Sequence, residues 1–449
     1  MKKSLLLSSL LCSCIFAATL SQTPEDNSLI VYNGSVALVH EKRALKVNQN
    51  DTQLIYPDVA NTIEVDSINL KLPKTITLFS QQFRFDRLTH AKLLDAHVGK
   101  EVDVSLPKKL QHLSIERATL LAFDSTNALV KTPQGNILTI PSDTVVFSEV
   151  PKELITKPSL VWNVGVKNNT QAPLEIDYLI RNIDYSNNYI LNVAKNKATL
   201  EGWITIDNRS GKHFTNTQLH VLAGTINRVY DEPQGYYLKA SRVMSEAANE
   251  VSHQAHEGYH FYTIPFKVNL SDNEKTQIKF LEKKDIPITR RYVAAMSFPL
   301  YLRGENEQSV TQSLELSKLD IVLPKGTVRT YSKLQKNSVL LGESALEHMP
   351  KNTPINLKLG TNFDTKVKEK LLKSTKNDKS QSVRIEYEVR NESDESKTIT
   401  ITIPFNKDTD STVTSDKKFT YTKGNLVTFT LTLQPNSKER FEAEFHDIK

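Results

Sequence analysis

The sequence predicts a mainly β protein, built from several antiparallel β-sandwich domains in tandem. A small barrel is inserted near the N-terminus, and one amphipathic helix is expected around 238–257. Apolar and polar residues alternate with a period of two along most of the 449 residues, which is typical of strands with one buried face. Short polar segments rich in turn-forming residues separate the alternating runs. The length favours about three domains.

The first eighteen residues have the layout of a secretory signal peptide. Lys2-Lys3 precede an apolar stretch over 5–16, and Ala17-Ala18 supplies small residues for cleavage. The stretch is shorter than the roughly 18 apolar residues that a membrane-spanning helix needs. We therefore expect residues 1–18 to be removed and the protein to be periplasmic or secreted.

Both cysteines of the chain, Cys12 and Cys14, lie inside this segment. A chain without residues 1–18 has no disulfide, thiol nucleophile or cysteine ligand. As an alternative, Leu11-Cys12-Ser13-Cys14 would serve as a lipid-attachment box, and the mature protein would then be anchored to the membrane through Cys14. Ile15-Phe16 continues the apolar stretch where lipoproteins usually become polar, so soluble export is preferred.

Residues 24–154 are predicted to form an N-terminal β domain, with strands around 28–39, 53–56 and 75–80. From about 94 to 148 the pattern changes to five short apolar runs, which is the size of a small closed barrel. The phrases Val98-Gly99-Lys100 and Thr132-Pro133-Gln134-Gly135-Asn136 resemble those of SH3-like barrels. The inserted barrel is therefore expected to be SH3-like.

Residues 155–330 continue the strand pattern and are predicted to form a central β-sandwich domain, with one exception. Between Leu238 and Glu257, apolar residues recur at helical spacing: Ala240, Val243, Met244, Ala247, Ala248, Val251 and Ala255. This spacing predicts an amphipathic helix over about 238–257, with Gly258 as its stop signal.

Residues 331–449 are predicted to form a C-terminal β domain that ends, from about 380, in an immunoglobulin-like sandwich. Its strands are expected in four alternating runs, at 383–389, 399–405, 427–433 and 441–445. Polar segments such as Asn391-Glu392-Ser393-Asp394 lie between them and provide turn chemistry.

Composition and charge exclude several classes of function. The closest pair of the 14 glycines, Gly202 and Gly211, stands nine positions apart, so no phosphate-binding loop, dinucleotide-binding turn or nucleophile elbow can be written. The formal net charge of +6 is too small to indicate nucleic acid. The densest basic segment, 366–379, contains no aromatic residue for base stacking and is expected to be a solvated connection.

One cluster of histidines resembles a site of chemistry. His253, His256 and His260 lie within eight residues, and residues 256–260 satisfy H-E-x-x-H. In zinc proteases a continuous helix places both histidines of this motif on one face, and the glutamate acts as general base. Here Gly258 falls at the expected helix end and residues 260–266 have the pattern of a strand. The histidines are therefore expected to diverge, and no catalytic residue or cofactor is predicted.

A series of short phrases follows in a fixed order from about 155 to 445. They include Tyr178-Leu179-Ile180-Arg181-Asn182, Leu200-Glu201-Gly202-Trp203, Asn208-Arg209-Ser210-Gly211 and Leu323-Pro324-Lys325-Gly326-Thr327. In these phrases the chain resembles the bacterial family called domain of unknown function 4139, which also forms the C-terminal part of mucoidy-inhibitor-A-type proteins. The resemblance implies an exported, β-rich envelope protein with no assigned reaction, and it implies no catalytic residue.

The sequence as a whole favours a secreted cell-envelope protein that acts by non-catalytic binding or scaffolding. The expected partner is an envelope protein or a polysaccharide, without nucleic acid, and with a membrane only through a lipid on Cys14. The alternative is a metal-dependent hydrolase that uses the motif at 256–260, with His253, His256 and His260 as its candidate ligands.

Overall fold

The computed structural model describes residues 17–108, 112–224, 227–228, 252–256, 259–406, 411–422 and 424–448. The protein is mainly β, as predicted, and its described strands form four sheets. Contacts divide the chain into two compact units. Unit 1 takes its residues from Met1–Tyr185, Ile206–Asp231 and Phe261–Thr276, and unit 2 from Ser186–Thr205, Glu232–His260 and Gln277–Lys449.

The first sheet has four strands in the order β1-β4-β12-β6. Their bounds are β1 Ala17–Thr19, β4 Gln53–Pro57, β6 Ile76–Arg84 and β12 Ser159–Val166. The predicted strands at 53–56 and 75–80 are confirmed by β4 and β6. The central strand β12 buries Trp162, whose ring lies 5.6 Å from the ring of Tyr56 on β4. These two aromatic side chains mark the inner face of the sheet.

The second sheet has seven strands in the order β17-β18-β16-β2-β3-β13-β5. Their bounds are β2 Asp26–Tyr32, β3 Val36–Val47, β5 Asn69–Lys71, β13 Thr170–Arg181, β16 Phe214–Ala223, β17 Ser252–His256 and β18 Tyr259–Leu270. The single strand predicted at 28–39 is instead the hairpin of β2 and β3. It turns at Gly34 and Ser35, which both have positive φ.

The third sheet has five strands in the order β10-β9-β8-β7-β11. Their bounds are β7 Glu101–Lys108, β8 His112–Phe123, β9 Asn127–Lys131, β10 Ile137–Pro141 and β11 Val145–Val146. All five predicted strands are confirmed. The closed barrel is wrong, because β10 and β11 end the hydrogen-bonded order and, within the described residues, do not pair with each other. The sheet packs Leu94 of helix α1, His90–His97, into its small core.

The fourth sheet contains thirteen strands, ten of them in the order β22-β21-β14-β15-β19-β20-β23-β24-β29-β26, while β25 pairs with β19 and β28, and β27 with β28. The bounds are β14 Ile183–Val193, β15 Lys197–Asn208, β19 Glu274–Ala295, β20 Glu305–Leu316, β21 Gly326–Leu334, β22 Asn337–Leu346, β23 Ile355–Lys376, β24 Ser380–Asn391, β25 Lys397–Pro404, β26 Ser411–Ser415, β27 Phe419–Thr422, β28 Leu426–Leu433 and β29 Ser437–Ile448. The four C-terminal strands predicted from alternation are confirmed by β24, β25, β28 and β29.

Alternation sets the core of the C-terminal strands. Val383, Ile385, Tyr387 and Val389 of β24 are buried, and they pack in one cluster with apolar residues of β25, β28 and β29. Most described pairings are antiparallel. The parallel ones are β1 with β4, β16 with β2, β14 with β21 and β19 with β25. In an antiparallel sandwich each sheet exposes one face to solvent and buries the other.

Two further sequence predictions fail in the described residues. The helix expected around 238–257 is wrong at 252–256, where the chain forms strand β17, while 238–251 lies outside the described residues. The basic segment 366–379 is not a solvated connection, because up to Lys376 it belongs to β23. Lys366 pairs there with Glu307 at 3.1 Å, and Lys370 with Glu305 at 3.1 Å, across the ladder to β20.

The predicted signal peptide lies mostly outside the described residues, which begin at Ala17 within β1. Cys12 and Cys14 also lie outside them. The backbone N–H of Leu20 donates to the carbonyl of Ile55 at 3.0 Å, so the chain after the predicted cleavage site is held against β4. Among the described residues, no helix combines the length and the apolar character needed to cross a bilayer.

Candidate binding site

The three histidines singled out from the sequence lie on two strands. His253 and His256 belong to β17, whose side chains lie outside the described part of the structure, and His260 belongs to β18. Glu257 and Gly258 are not described. The helical placement that makes H-E-x-x-H a zinc site is therefore not formed at either end of the motif.

The structure places a different histidine beside His260. The rings of His260 and His348 lie 4.1 Å apart between centroids, and burial lowers the pKa of His260. Among the described residues, no group of three or more histidine, cysteine, aspartate or glutamate side chains is arranged to hold a metal ion. The pair therefore gives no support to the hydrolase alternative.

Charged side chains meet instead in the interior of unit 1. Strand β3 alternates, and its inward positions carry Val39, Glu41, Arg43 and Leu45, all of them buried. Glu41 is only 1% exposed. Glu41 and Arg43 thus lie at positions where the alternation of the strand predicts apolar side chains. Buried charged residues are rare unless their charges are paired.

The carboxylate of Glu41 is the centre of a buried network. One oxygen, Oε2, accepts hydrogen bonds from the guanidinium of Arg43 at 2.6 Å and from the Tyr56 hydroxyl at 2.5 Å. The other oxygen, Oε1, lies 3.3 Å from Nζ of Lys212. The guanidinium also stacks over the Tyr56 ring, 3.9 Å from its centroid. Since Tyr56 lies on the first sheet and Glu41 on the second, the network joins the two sheets of this sandwich.

The guanidinium of Arg43 also binds the chain itself. Its NH1 group donates to the carbonyls of Ser21 and Pro57, both at 2.8 Å. Each of these backbone carbonyls thereby accepts a charge-assisted hydrogen bond. Arg43 thus fixes the segment that leads into β2 against the end of β4.

A turn after β15 presents Lys212 to the network. The buried side chain of Asn208 donates to the Lys212 carbonyl at 2.9 Å, and the backbone N–H of Gly211 donates to Asp272 at 2.8 Å. Gly211 has φ of +77°, and a Cβ there would stand 2.4 Å from the Asn61 side chain. Only glycine fits such an approach in this conformation. Lys212 is only 5% exposed, and its ammonium group is held by the carbonyl and the carboxylate of Asp58 as well as by Glu41.

Glu41 and Lys212 form part of the wall of a cleft of about 190 Å³. The other lining residues are Gln22, Thr23, Pro24, Glu25, Asp26, Asn27, Asp58, His213, Phe214, Thr215, Asn216 and Lys267. Asp26 and Lys267 face each other at 3.5 Å, and both are exposed, so they form the rim. The cleft thus runs from a charged interior pair to a charged rim pair.

Asn27 is the one lining residue with an unused polar atom that the structure shows to be buried. It is 9% exposed, and its register partner on β3 is Glu41. Its Nδ2 donates to the Thr215 carbonyl at 3.1 Å, while its Oδ1 is buried and has no hydrogen-bond partner. A buried acceptor without a donor costs about 1–3 kcal/mol. Because this oxygen is inaccessible to solvent, it does not face the open part of the cleft.

The network holds its members in their charged forms. Burial by itself would raise the pKa of Glu41, but Lys212, Arg43 and the Tyr56 hydroxyl together hold that pKa below its ordinary value. Burial and the neighbouring Glu41 charge raise the pKa of Tyr56 well above its ordinary value. Glu41 is therefore a carboxylate and Tyr56 a neutral phenol across the physiological range.

This arrangement suits binding better than acid–base chemistry. A general acid or base must reach the substrate with an atom that is free to exchange a proton. Both oxygens of Glu41 are already committed to cationic or hydroxyl partners, and Lys212 is held by two acidic residues. The cleft therefore offers a ligand side chains of fixed charge.

No protein-family model matches the chain, and no curated protein matches it. The resemblance to domain of unknown function 4139 stays a prediction.

Sequence reasoning missed this site, although one signal was present. In Val39-His40-Glu41-Lys42-Arg43-Ala44-Leu45, the glutamate and the arginine share the parity of the two flanking apolar residues. Charge at an inward position of a strand indicates either an edge or a buried network. Lys212 and Asn27 carried no comparable signal, because their partners come from distant parts of the chain.

Proposed function

We propose that this protein is exported to the cell envelope and acts there by binding, without catalysis, through the cleft of unit 1. The observation that carries the proposal is the buried pair of Glu41 and Lys212 in the wall of this cleft, together with the exposed pair of Asp26 and Lys267 at its rim. Removing charges from water is costly, and packed apolar residues would stabilise the interior as well or better. A charged network at the wall of a cleft is therefore a candidate binding site rather than a packing solution.

The proposed partner is an envelope protein or a polysaccharide. Support comes from the predicted signal peptide and from the likeness to domain of unknown function 4139. One phrase of that likeness, Asn208-Arg209-Ser210-Gly211, forms the turn that presents Lys212 to the cleft. The β-sandwich supplies a rigid frame for such a site, and function on this kind of fold resides in the loops and strand ends.

Export and binding are tested in one series. The intact mass of the chain from the periplasmic and membrane fractions shows whether it begins near Ala18 or carries a diacylglyceryl group on Cys14. The purified mature chain is then incubated with isolated cell-wall polysaccharide and, separately, crosslinked in intact cells. We expect retention on the polysaccharide or a discrete crosslinked envelope protein.

Two charge-reversal variants locate the binding surface. Asp26→Lys places a second cation beside Lys267 on the rim, and we expect it to abolish retention or crosslinking. Asp285→Lys is the matched control, since Asp285 is exposed and pairs with Lys197 at 3.0 Å in unit 2. Loss in both variants, or in neither, would contradict the cleft as the binding site. A cytoplasmic protein of full mass would contradict export.

A further inference from the structure

We propose that the hairpin of β21 and β22 binds the surface of an anionic lipid bilayer by inserting its apolar end among the headgroups. This membrane contact goes beyond the binding function of the cleft and needs no lipid on Cys14. The observation that carries it is a group of exposed apolar side chains beside lysines, at the end of a hairpin that extends past its neighbouring strand. We call residues 333–340 the tip.

The tip extends past the strand that pairs with β21. β21 pairs in parallel with β14 as far as Ser332, whereas its pairing with β22 continues to Leu334, opposite Asn337. A turn of two residues, Gln335 and Lys336, closes the hairpin, and Gln335 has φ of +55°. Residues 333–340 are all exposed. In the described pairings, no third strand accompanies the hairpin over the tip.

Three large apolar side chains of the tip lie in solvent. Leu334 is 65% exposed, Leu340 48% and Val339 38%. The register places Leu334 and Val339 on one face of the hairpin and Leu340 on the other. A surface that packs on another protein needs apolar side chains on one face only. Apolar side chains on both faces of a projecting end instead favour insertion into a medium that surrounds it, such as the boundary of a bilayer.

The charge of the tip favours an anionic bilayer. Lys333 and Lys336 lie within the tip, and the sequence has no acidic residue from Thr330 to Gly342. Neither lysine forms an ion pair with a residue that the structure describes. Anionic lipids attract basic side chains near the bilayer surface, and apolar side chains next to them can then enter the headgroup region.

The neighbouring turn of the same sheet adds positive charge. This turn, 194–196, joins β14 to β15 and lies beside the tip because β14 pairs with β21. It carries Lys195, and the guanidinium of Arg290 donates to the Lys195 carbonyl. Arg290 has no carboxylate partner within the described ranges. The exposed Asp285 is paired with Lys197 at 3.0 Å. The surroundings of the tip therefore also favour an anionic surface.

The first test is flotation of the mature chain with vesicles of phosphatidylglycerol and phosphatidylcholine in equal amounts. A chain without residues 1–18 contains neither cysteine, so an attached lipid cannot cause the binding. We expect binding that weakens as the ionic strength rises, and at least about tenfold weaker binding to phosphatidylcholine alone. Failure to bind the anionic vesicles, or equal binding to both kinds, would overturn the proposal.

An apolar variant assigns the insertion to the tip. It combines Leu334→Ser, Val339→Ser and Leu340→Ser, and we expect at least about tenfold weaker binding to the anionic vesicles. The matched control replaces three exposed apolar residues of the third sheet, Ile115→Ser, Ile137→Ser and Val146→Ser. This control is expected to bind as the unaltered chain does. Equal binding by the two variants would show that the tip is not the inserting surface.

A charge variant tests the lysines separately. Lys333→Glu with Lys336→Glu is expected to weaken binding to the anionic vesicles at least about tenfold. Lys74→Glu with Lys131→Glu makes the same change in net charge at exposed positions of unit 1 and serves as the control. Similar losses in both would mean that only the net charge matters, and the tip would lose its assignment. This comparison decides the matter if the apolar variant does not fold.

An environment-sensitive fluorophore reports insertion directly. Because the mature chain has no cysteine, Leu334→Cys provides a single labelling site, and Ile137→Cys provides the control. We expect anionic vesicles to shift the emission to the blue at position 334 alone. A shift at both positions, or at neither, would refute insertion of the tip. Since the tip belongs to unit 2 and the cleft to unit 1, such a result leaves the cleft proposal standing.

Discussion

Asn208 of unit 1 and Asn391 of unit 2 make the same set of hydrogen bonds. Each is buried at the end of a strand, and each donates from Nδ2 to the carbonyl four residues later, at 2.9 Å to Lys212 and at 2.8 Å to Glu395. Each amide also donates to two consecutive carbonyls of a distant strand end. These are Leu270 and Ser271 in unit 1, and Leu433 and Gln434 in unit 2.

The acceptor side of the two asparagines is also equivalent. Oδ1 of Asn208 accepts from the backbone N–H and the hydroxyl of Ser210, at 3.2 and 2.8 Å. Oδ1 of Asn391 accepts from the same two groups of Ser393, at 3.3 and 2.8 Å. The short motif N-x-S thus closes a strand end in both units. In unit 1 the same turn goes on to carry Lys212 into the cleft.

Replacing either asparagine is therefore expected to destabilise the unit that contains it. Asn208→Ala and Asn391→Ala each remove three hydrogen bonds from Nδ2 and the Oδ1 acceptor that holds the turn, and we expect a loss of about 2–4 kcal/mol of unfolding free energy. Chemical denaturation of the mature chain measures it. Asn50→Ala, at an exposed turn position, serves as the control and is expected to change stability by less than about 0.5 kcal/mol. Equal effects of all three variants would contradict this account.

The buried network makes Lys212 more important for stability than an exposed lysine. Lys212→Met leaves the Glu41 carboxylate with Arg43 and Tyr56 but without its third partner, and we expect a loss of about 2–4 kcal/mol. Lys71→Met removes an exposed ion pair with Glu175 at 3.2 Å and is expected to cost under about 1 kcal/mol. Thermal unfolding at neutral pH compares them. A smaller effect at Lys212 than at Lys71 would show that the network is not formed as described.

Two glycines with positive φ allow the cost of backbone strain to be measured separately from the cost of crowding. At Gly34, with φ of +97°, an added Cβ meets nothing within 4 Å, so Gly34→Ala is expected to cost about 1 kcal/mol. At Gly211 the Cβ also collides with Asn61, and Gly211→Ala is expected to cost at least about 2 kcal/mol more. Because Gly211 precedes Lys212, this variant is also expected to weaken ligand binding in the cleft. Similar unfolding free energies for the two variants would refute the close approach.

A second buried carboxyl group, that of Glu369, is expected to lower the stability of the protein at neutral pH, whereas a paired carboxylate with a lowered pKa raises it. Glu369 is 1% exposed, and the one donor that the structure gives it is Nδ2 of Asn306, at 2.9 Å. Burial raises the pKa of Glu369. A carboxyl with a raised folded-state pKa costs stability when it is ionised, and the cost disappears as the pH falls below the unfolded-state value.

Glu369→Gln keeps the acceptor for Asn306 and cannot ionise. We expect it to stabilise the protein by about 1–2 kcal/mol at neutral pH and to have no effect near about pH 4. Denaturation of both proteins across this range measures the difference. A gain that persists unchanged in acid would mean that removal of a charge is not its cause.

Local periodicity accounts for what the sequence predicts correctly. The four C-terminal strands and the five strands between 94 and 148 alternate clearly, and inward parity identifies core residues such as Ile385 and Val104. Helical spacing at 238–257 misled at its end, where pairing of β17 with β18 overrides the local preference. Closure of a barrel depends on pairing between β10 and β11, which periodicity does not encode. Helix α1 is not predicted, because its eight residues make too few turns to show a clear apolar stripe.

The candidate site depends on contacts between distant parts of the chain. The partners of Glu41 come from positions 43, 56 and 212. The Nδ2 group of Asn27 donates to the carbonyl of Thr215, which is also far away in sequence. A charged residue at inward parity signals that partners must exist, since an unpaired buried carboxylate is too costly. Which residues they are follows only from the packing of the two sheets.

The central claim is that the cleft of unit 1 is the binding surface. The most direct measurement compares retention on cell-wall polysaccharide, and crosslinking in intact cells, between the unaltered chain, Asp26→Lys at the rim of the cleft and Asp285→Lys outside it. The account predicts loss in Asp26→Lys alone. Equal retention and crosslinking in all three proteins, or loss in both variants, would contradict it.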